Sequence, residues 1–171
     1  ISPDLRSGAL RALAESPLDA QRLVAGGAGR IHFTADAGKN WAERSKGLPR
    51  KSIRDLVASA HKKDLVFVAM SGRRERDCAS YLFATTDFGK NWKSIANNLP
   101  DEPVNAIAED PKTPGLLFAG TDLGVYVSLD AGAHWESLSG SLPTCPVVDL
   151  AVHGRDGALV AATHGLSLIH I

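Results

Sequence analysis

Cysteine is scarce in this chain: among 171 residues there are two, Cys78 and Cys145. They show neither metal-ligand nor redox-motif spacing, and the sequence leaves open a disulfide, two free thiols or one of each. An excess of charge of one sign is also missing. The 19 Lys and Arg balance 19 Asp and Glu at a formal net charge of +0, so no overall field draws phosphate backbones or anionic lipids, and nucleic acid is excluded as an expected partner. The longest apolar runs, DLVFVAM at 64–70 and GLLFAG at 115–120, fall far short of the roughly 20 residues of a membrane-spanning helix. Six histidines lack close ligand spacing, which argues against zinc. The glycine-rich AGGAGR at 25–30 lacks the lysine and hydroxyl of a phosphate-binding loop and any helix pattern after it. No metal and no cofactor is therefore expected. Ile1 is no initiator and no signal-peptide pattern surrounds it, so the native N-terminus is expected to be missing or removed.

What the chain does have is repetition. All three tryptophans occur in copies of one octet: TADAGKNW at 34–41, TTDFGKNW at 85–92 and SLDAGAHW at 128–135. Residues 10–49 lie over 104–143 without a gap, LRALAESP on VNAIAEDP and RLVAGG on LLFAGT, while the middle copy at 53–100 carries extra residues. A fourth copy begins at VVDLAVH and continues into ALVAATHG. The period, about 40 to 50 residues, is that of propeller blades. In the third unit four strand-like runs, 104–109, 116–120, 125–129 and 134–138, are divided by turn residues. Val125, Val127 and Leu129 alternate with Tyr126 and Ser128, the period of two of a strand. The stretch 11–25 has helix-like composition, but Pro17 interrupts it and its partner copy is richer in β-branched and aromatic residues, so strand is expected. These features predict an all-β chain: a β-propeller fragment of about three and a half four-stranded antiparallel blades, at 9–49, 51–100, 103–143 and, incomplete, 146–165.

Each octet should close the hairpin between the third and fourth strands. Asp36, Asp87 and Asp130 are expected to accept hydrogen bonds from backbone N–H groups two or three residues on. Gly38, Gly89 and Gly132 would supply positive φ, and Thr34, Thr85 and Ser128 a hydroxyl across the hairpin. Trp41, Trp92 and Trp135 would begin the outer strand and bury their rings between neighbouring blades.

The octets resemble the Asp-box, or bacterial neuraminidase (BNR) repeat, Ser/Thr-x-Asp-x-Gly-x-x-Trp, over 10–165. More narrowly, YLFATTDFGKNW, EDPKTPGLLFAGTDLGVYVSLDAGAHW and LAVHGRDGALVAATHG resemble large bacterial proteins described as sortilin-like or BNR-repeat "glycosyl hydrolases", whose propellers are similar to the sortilin ectodomain and the photosystem II assembly-factor propeller. The resemblance implies a secreted or periplasmic protein. It does not imply hydrolysis, because fold and repeat carry no activity by themselves. In such proteins ATHG is followed by Arg, where this chain has Leu166. The final LSLIHI at 166–171 is what the codons CTG TCT CTT ATA CAC ATC of a transposon-based sequencing adapter encode. We read it as translated adapter, not native protein, the alternative being an apolar strand; the real chain is then expected to continue.

A glycosidase needs two carboxyl groups about 5 to 10 Å apart, and a sialidase adds an arginine triad and a Tyr–Glu pair; no compact set of this kind stands out. The octet aspartates are read as structural. The opposite face should carry the turns at 26–29, 71–80, 121–124 and 163–165, and the second is the one long, charged insertion. Arg73, Arg74, Asp77 and Tyr81 on it are candidate binding residues, with Asp122 and His164 at equivalent turns of adjacent blades. Arg74, Asp77 and Tyr81 match the outline of the resembling loops, whereas Glu75, Arg76 and Cys78 depart from it. The expected function is a noncatalytic scaffold binding a protein, peptide or glycan partner through this face, with the remaining blades of the same chain beside it. The alternative is part of a secreted glycoside hydrolase whose catalytic residues lie partly elsewhere.

Overall fold

The computed structural model describes residues 9–138, 144–165 and 167–170; residues 1–8, the end of the third unit at 139–143, Leu166 and Ile171 lie outside the described residues. The fold is all-β. The first sheet contains β1 (Ala12–Ser16), β2 (Asp19–Gly27), β3 (Arg30–Thr34) and β4 (Ala42–Glu43). The second has β5 (Ser52–Ala58), β6 (Val66–Gly72), β7 (Asp77–Thr85) and β8 (Lys93–Ser94). The third has β9 (Val104–Glu109), β10 (Leu117–Thr121), β11 (Val125–Ser128) and β12 (Glu136–Ser137). In the fourth, β13 (Val147–Val152), β14 (Leu159–Thr163) and β15 (Ser167–His170) form three strands. Strands pair antiparallel in chain order within every sheet, and the innermost strands of successive sheets pack on one another. This is a propeller fragment, its blades following the chain. Pro17 sits in the β1–β2 hairpin, where its missing N–H costs no ladder bond.

The core lies between the sheets. Val24, Ile31, Phe33, Ile53, Leu56 and Met70 fill the first junction; Phe67, Leu82, Ile95, Val104, Ile107 and Trp135 fill the second; Ala106, Val125, Val147, Leu150 and Leu159 fill the third. A blade with a neighbour on each side is apolar on both faces, so β6 is buried at every position. The alternation of β11 sends Val125 to the third junction and Tyr126 toward the second. Leu129, expected on the Val125 face, is instead 78% exposed at the turn. The fourth strands are shorter than expected: the run at 134–138 pairs only through Glu136 and Ser137. Both cysteines are free thiols, Cys78 exposed and Cys145 buried. Ser167–His170 pairs with β14, as an extended segment of any origin can at a free sheet edge.

Register shifts occur in β5 between Ile53 and Asp55 and in β13 between Val147 and Asp149. The first turns the Asp55 carboxylate toward the next blade, where it accepts from Leu56 N at 2.8 Å and, across the junction, from Ile107 N at 3.0 Å. Burial raises the Asp55 pKa against these two bonds. Asp149 repeats the first contact, accepting from Leu150 N at 2.9 Å.

Candidate functional site

The topology gives the fragment two faces. The β2–β3, β6–β7 and β10–β11 turns and the connectors between blades share one; the octets and the first hairpin of each blade share the other.

On the octet face, the second copy shows the local chemistry. Thr85 Oγ1 donates to Asp87 Oδ1 at 2.8 Å and accepts from Gly89 N at 2.9 Å; Asp87 Oδ1 accepts from Asn91 N at 2.9 Å, and Oδ2 from Asn91 Nδ2 at 2.7 Å. Thr34, Asp36, Gly38 and Asn40 repeat the pattern. Ser128, Asp130, Gly132 and His134 keep it without the side-chain amide. The carboxylate's main bond is to the N–H four residues on, with a weaker one to the N–H three residues on. The hydroxyl serves its own turn instead of crossing the hairpin. These bonds, led by the Asn40 and Asn91 backbone N–H groups, lower Asp36 and Asp87 from 3.8 to about 2; the His134 N–H leads the lowering of Asp130.

The three indoles differ. Trp92 Nε1 donates to Arg44 O at 2.9 Å and Trp135 Nε1 to Ile95 O at 2.7 Å, each on the preceding blade. Trp41, on the outward side of the first blade, donates to Gly38 O of its own turn at 3.0 Å. The clefts at the octet rim include one of about 740 Å3 at the first junction and one of about 580 Å3 at the second. Asp36 and Asp87 border the first and Asp130 the second, with the bonds above directed into their own turns.

The other face carries the sequence candidates. A short 3-10 turn, Arg73–Glu75, follows β6. Arg73 forms a two-oxygen ion pair with Asp122 of the next blade, and Asn105 Nδ2 donates to Asp122 Oδ1 at 2.9 Å and to Val147 O, on the blade beyond, at 3.1 Å. Asp77 is held by Lys51 Nζ at 2.7 Å and by the Tyr81 hydroxyl, which donates at 2.6 Å. The Lys51 contact leads in lowering Asp77 to about 2, and Asp77 in turn raises Tyr81. Arg74 is exposed with no partner among the described residues, and His164 is exposed with only its backbone N engaged, by Pro146 O at 2.8 Å. Asp122 is joined to Arg73 and Asn105, not to His164.

Sequence reasoning missed Lys51, Glu102 and Asn105. Buried Glu102 accepts from the Tyr126 hydroxyl and from Leu123 N, both at 2.9 Å; burial, then this bond, pushes Tyr126 up to about 12. Their shared signal was position: all three fall in or just after the connectors between repeats, on the same face as the variable turns. Chemically, Asp77 is held ionised and is a poor proton donor, and Asp55, whose pKa is raised, is bonded as a latch between blades. Among the described residues no group of three or more His, Cys, Asp or Glu is placed to hold a metal ion, and no helix is long and apolar enough to cross a membrane.

No family profile and no curated protein matches the sequence. Solved structures do. A GH74 enzyme of Niastella koreensis matches at TM-score 0.69 and 18% identity over 90% of this chain and 26% of its own. A GH74 xyloglucanase from Xanthomonas campestris matches at 0.68 and 19%, over 90% and 26%. YCF48 bound to D1 peptide matches at 0.68 and 17%, over 92% and 48%. All are β-propeller proteins. The chain spans about a quarter of the length of the enzymes and about half of YCF48.

Proposed function

We propose that the chain is part of an Asp-box, sortilin-like propeller that binds a protein or peptide partner through the face opposite the octets. The observation that carries this reading is the ionic lattice on that face: Arg73–Asp122–Asn105 ties one blade to the next and Lys51–Asp77–Tyr81 braces the second blade, while Arg74 and His164 stand exposed on the same face. A braced surface with free charged groups needs little reordering to bind. Both tyrosines there have engaged hydroxyls and are half-buried, so they do not form the exposed aromatic platforms on which sugars stack. Among the propellers of similar fold, YCF48 is bound to a D1 peptide, which supports a peptide over a glycan. The test is selection of binding peptides from a random displayed library. Selected peptides should bind Arg74→Glu at least about tenfold more weakly and Lys39→Ala, exposed on the octet face, unchanged; peptides indifferent to Arg74 and His164 substitutions would refute the reading.

The likeness to two GH74 enzymes favours a second reading, part of a glycoside hydrolase with its acid and base partly on other blades. Release of reducing sugar from xyloglucan by the full gene product would select it. The assignment of 166–171 to an adapter remains our proposal and is tested by sequencing the uninterrupted gene.

A further inference from the structure

The first and second junctions share one backbone frame and differ in what fills it. Phe88 and Ala131 occupy the same octet position, have φ of 58° and 59°, and donate their N–H groups to the equivalent carbonyls of Asp64 and Gly115, both at 2.9 Å. At the first junction the Phe88 ring plugs the space between blades. It meets Phe33 edge-on at 4.8 Å between centroids, with the Arg22 and Arg44 guanidinium carbons 4.5 and 5.4 Å from its centre. The strand registers that align Leu23 with Val66, and Thr34 with Thr85, set the corresponding wall residues of the second junction. There Arg22 is replaced by Leu65, Phe33 by Ala84 and Arg44 by Ile95, while Ala131 stands opposite in place of Phe88; these four all line the 580 Å3 cleft. Two rings have become two methyl groups and two cations have become aliphatic. The clefts differ in lining more than in size: the first has a charged wall and an aromatic plug, the second an apolar wall and no plug.

At the mouth of the second cleft stand Lys62 and Lys93, exposed and with ammonium groups that have no carboxylate partner among the described residues. Of the acids beside them, Glu109 has both oxygens engaged, by Ser59 Oγ at 3.0 Å and Ala60 N at 2.8 Å. Asp130 has Oδ1 engaged by Ser128 and His134.

We infer that the second junction is a binding slot for an aromatic side chain of a peptide partner, seated where Phe88 sits one blade earlier, with an acidic residue beside it facing Lys62 and Lys93. An apolar ring in a preformed apolar cleft gains its burial without reordering the walls. The site is on the octet face and does not depend on the function proposed above.

The test is made on the full-length gene product, with acetyl-Phe-Asp-amide as probe and the methyl NMR signals of Leu65, Ile95 and Leu129 as readout. Saturable shifts are expected with this probe, at least about tenfold weaker binding of acetyl-Ala-Asp-amide, and weaker binding of acetyl-Phe-Lys-amide. Ala131→Phe should supply the missing plug: binding falls at least about tenfold while the melting temperature holds or rises. Ala84→Phe fills the same space from the other wall and should do the same. Asp101→Asn, exposed on the far face, should leave the shifts unchanged. No saturable shift, undiminished shifts in Ala131→Phe, or loss of folding in both ring-adding variants would overturn the proposal, the last because the space would then not hold a ring.

Discussion

Gly89 carries two constraints at once. Its φ is +85°, and a β-carbon there would stand 2.4 Å from the Phe33 ring of the preceding blade. Gly38 has the same φ of +85°, yet its β-carbon would meet nothing closer than 3.7 Å. Gly38→Ala should therefore show the conformational cost alone, about 1–2 kcal/mol. Gly89→Ala should add the cost of overpacking a junction, about 1–3 kcal/mol more. Chemical denaturation of the two variants checks the difference, and equal losses would contradict the close approach. The aspartates beside these glycines set an acid limit. Asp36 and Asp87 fall from 3.8 to about 2 on folding, so their bonds contribute fully above pH 3.8, where both states are ionised. The contribution is lost as pH falls from 3.8 to about 2 and the folded carboxylates take up protons. The stability that these two carboxylates contribute should accordingly be flat through that upper range and decline within the window. In Asp87→Asn the decline should be shallower, measured by urea unfolding from pH 5 to 2.

The repeated hairpin shows what the sequence could and could not disclose. Strand order and the place of each octet were legible because turn residues recur at fixed offsets and a blade is built from local pairings. The indoles were legible as a class, but their unequal settings were not: Trp135 is buried while Trp41 and Trp92 are half-buried, and which carbonyl the ring N–H finds depends on whether another blade stands behind it. Trp92 and Trp135 reach the preceding blade, whereas Trp41 folds back on its own turn. Trp92→Ala and Trp135→Ala should each cost about 3–5 kcal/mol. Trp41→Ala should cost less, on the order of 1–2 kcal/mol; a Trp41 variant as damaging as the other two would contradict the blade order. The Arg73–Asp122 pair was beyond reach for a related reason. Both residues stood out as charged turn positions, but their meeting is set by how adjacent sheets pack, which no local pattern records. The same holds for the second-junction slot, visible only when Phe88 and Ala131 are compared on one frame.

At the scale of the whole molecule, every junction between blades has an apolar core, while the outward sides of the first and fourth sheets have no blade behind them among the described residues. Leu13 is 67% and Leu168 70% exposed there, and the outermost ladders offer unpaired edges. Such surfaces pair with whatever matches them. The 171-residue chain is therefore expected to self-associate or aggregate in light scattering, and a monodisperse, cooperatively melting monomer would refute this. The second sheet shows what should relieve it. Asp55 bonds Leu56 N on its own strand and Ile107 N on the next blade; Asp149 makes the first bond, and no N–H from a following inner strand is present among the described residues. A longer gene product that supplies the next inner strand should complete this latch. Asp149→Ala should then lower the melting temperature of the longer form about as much as Asp55→Ala does. A much smaller loss for Asp149→Ala would mean that Asp149 serves only its own bulge and that the fourth sheet is not continued as the second is by the third.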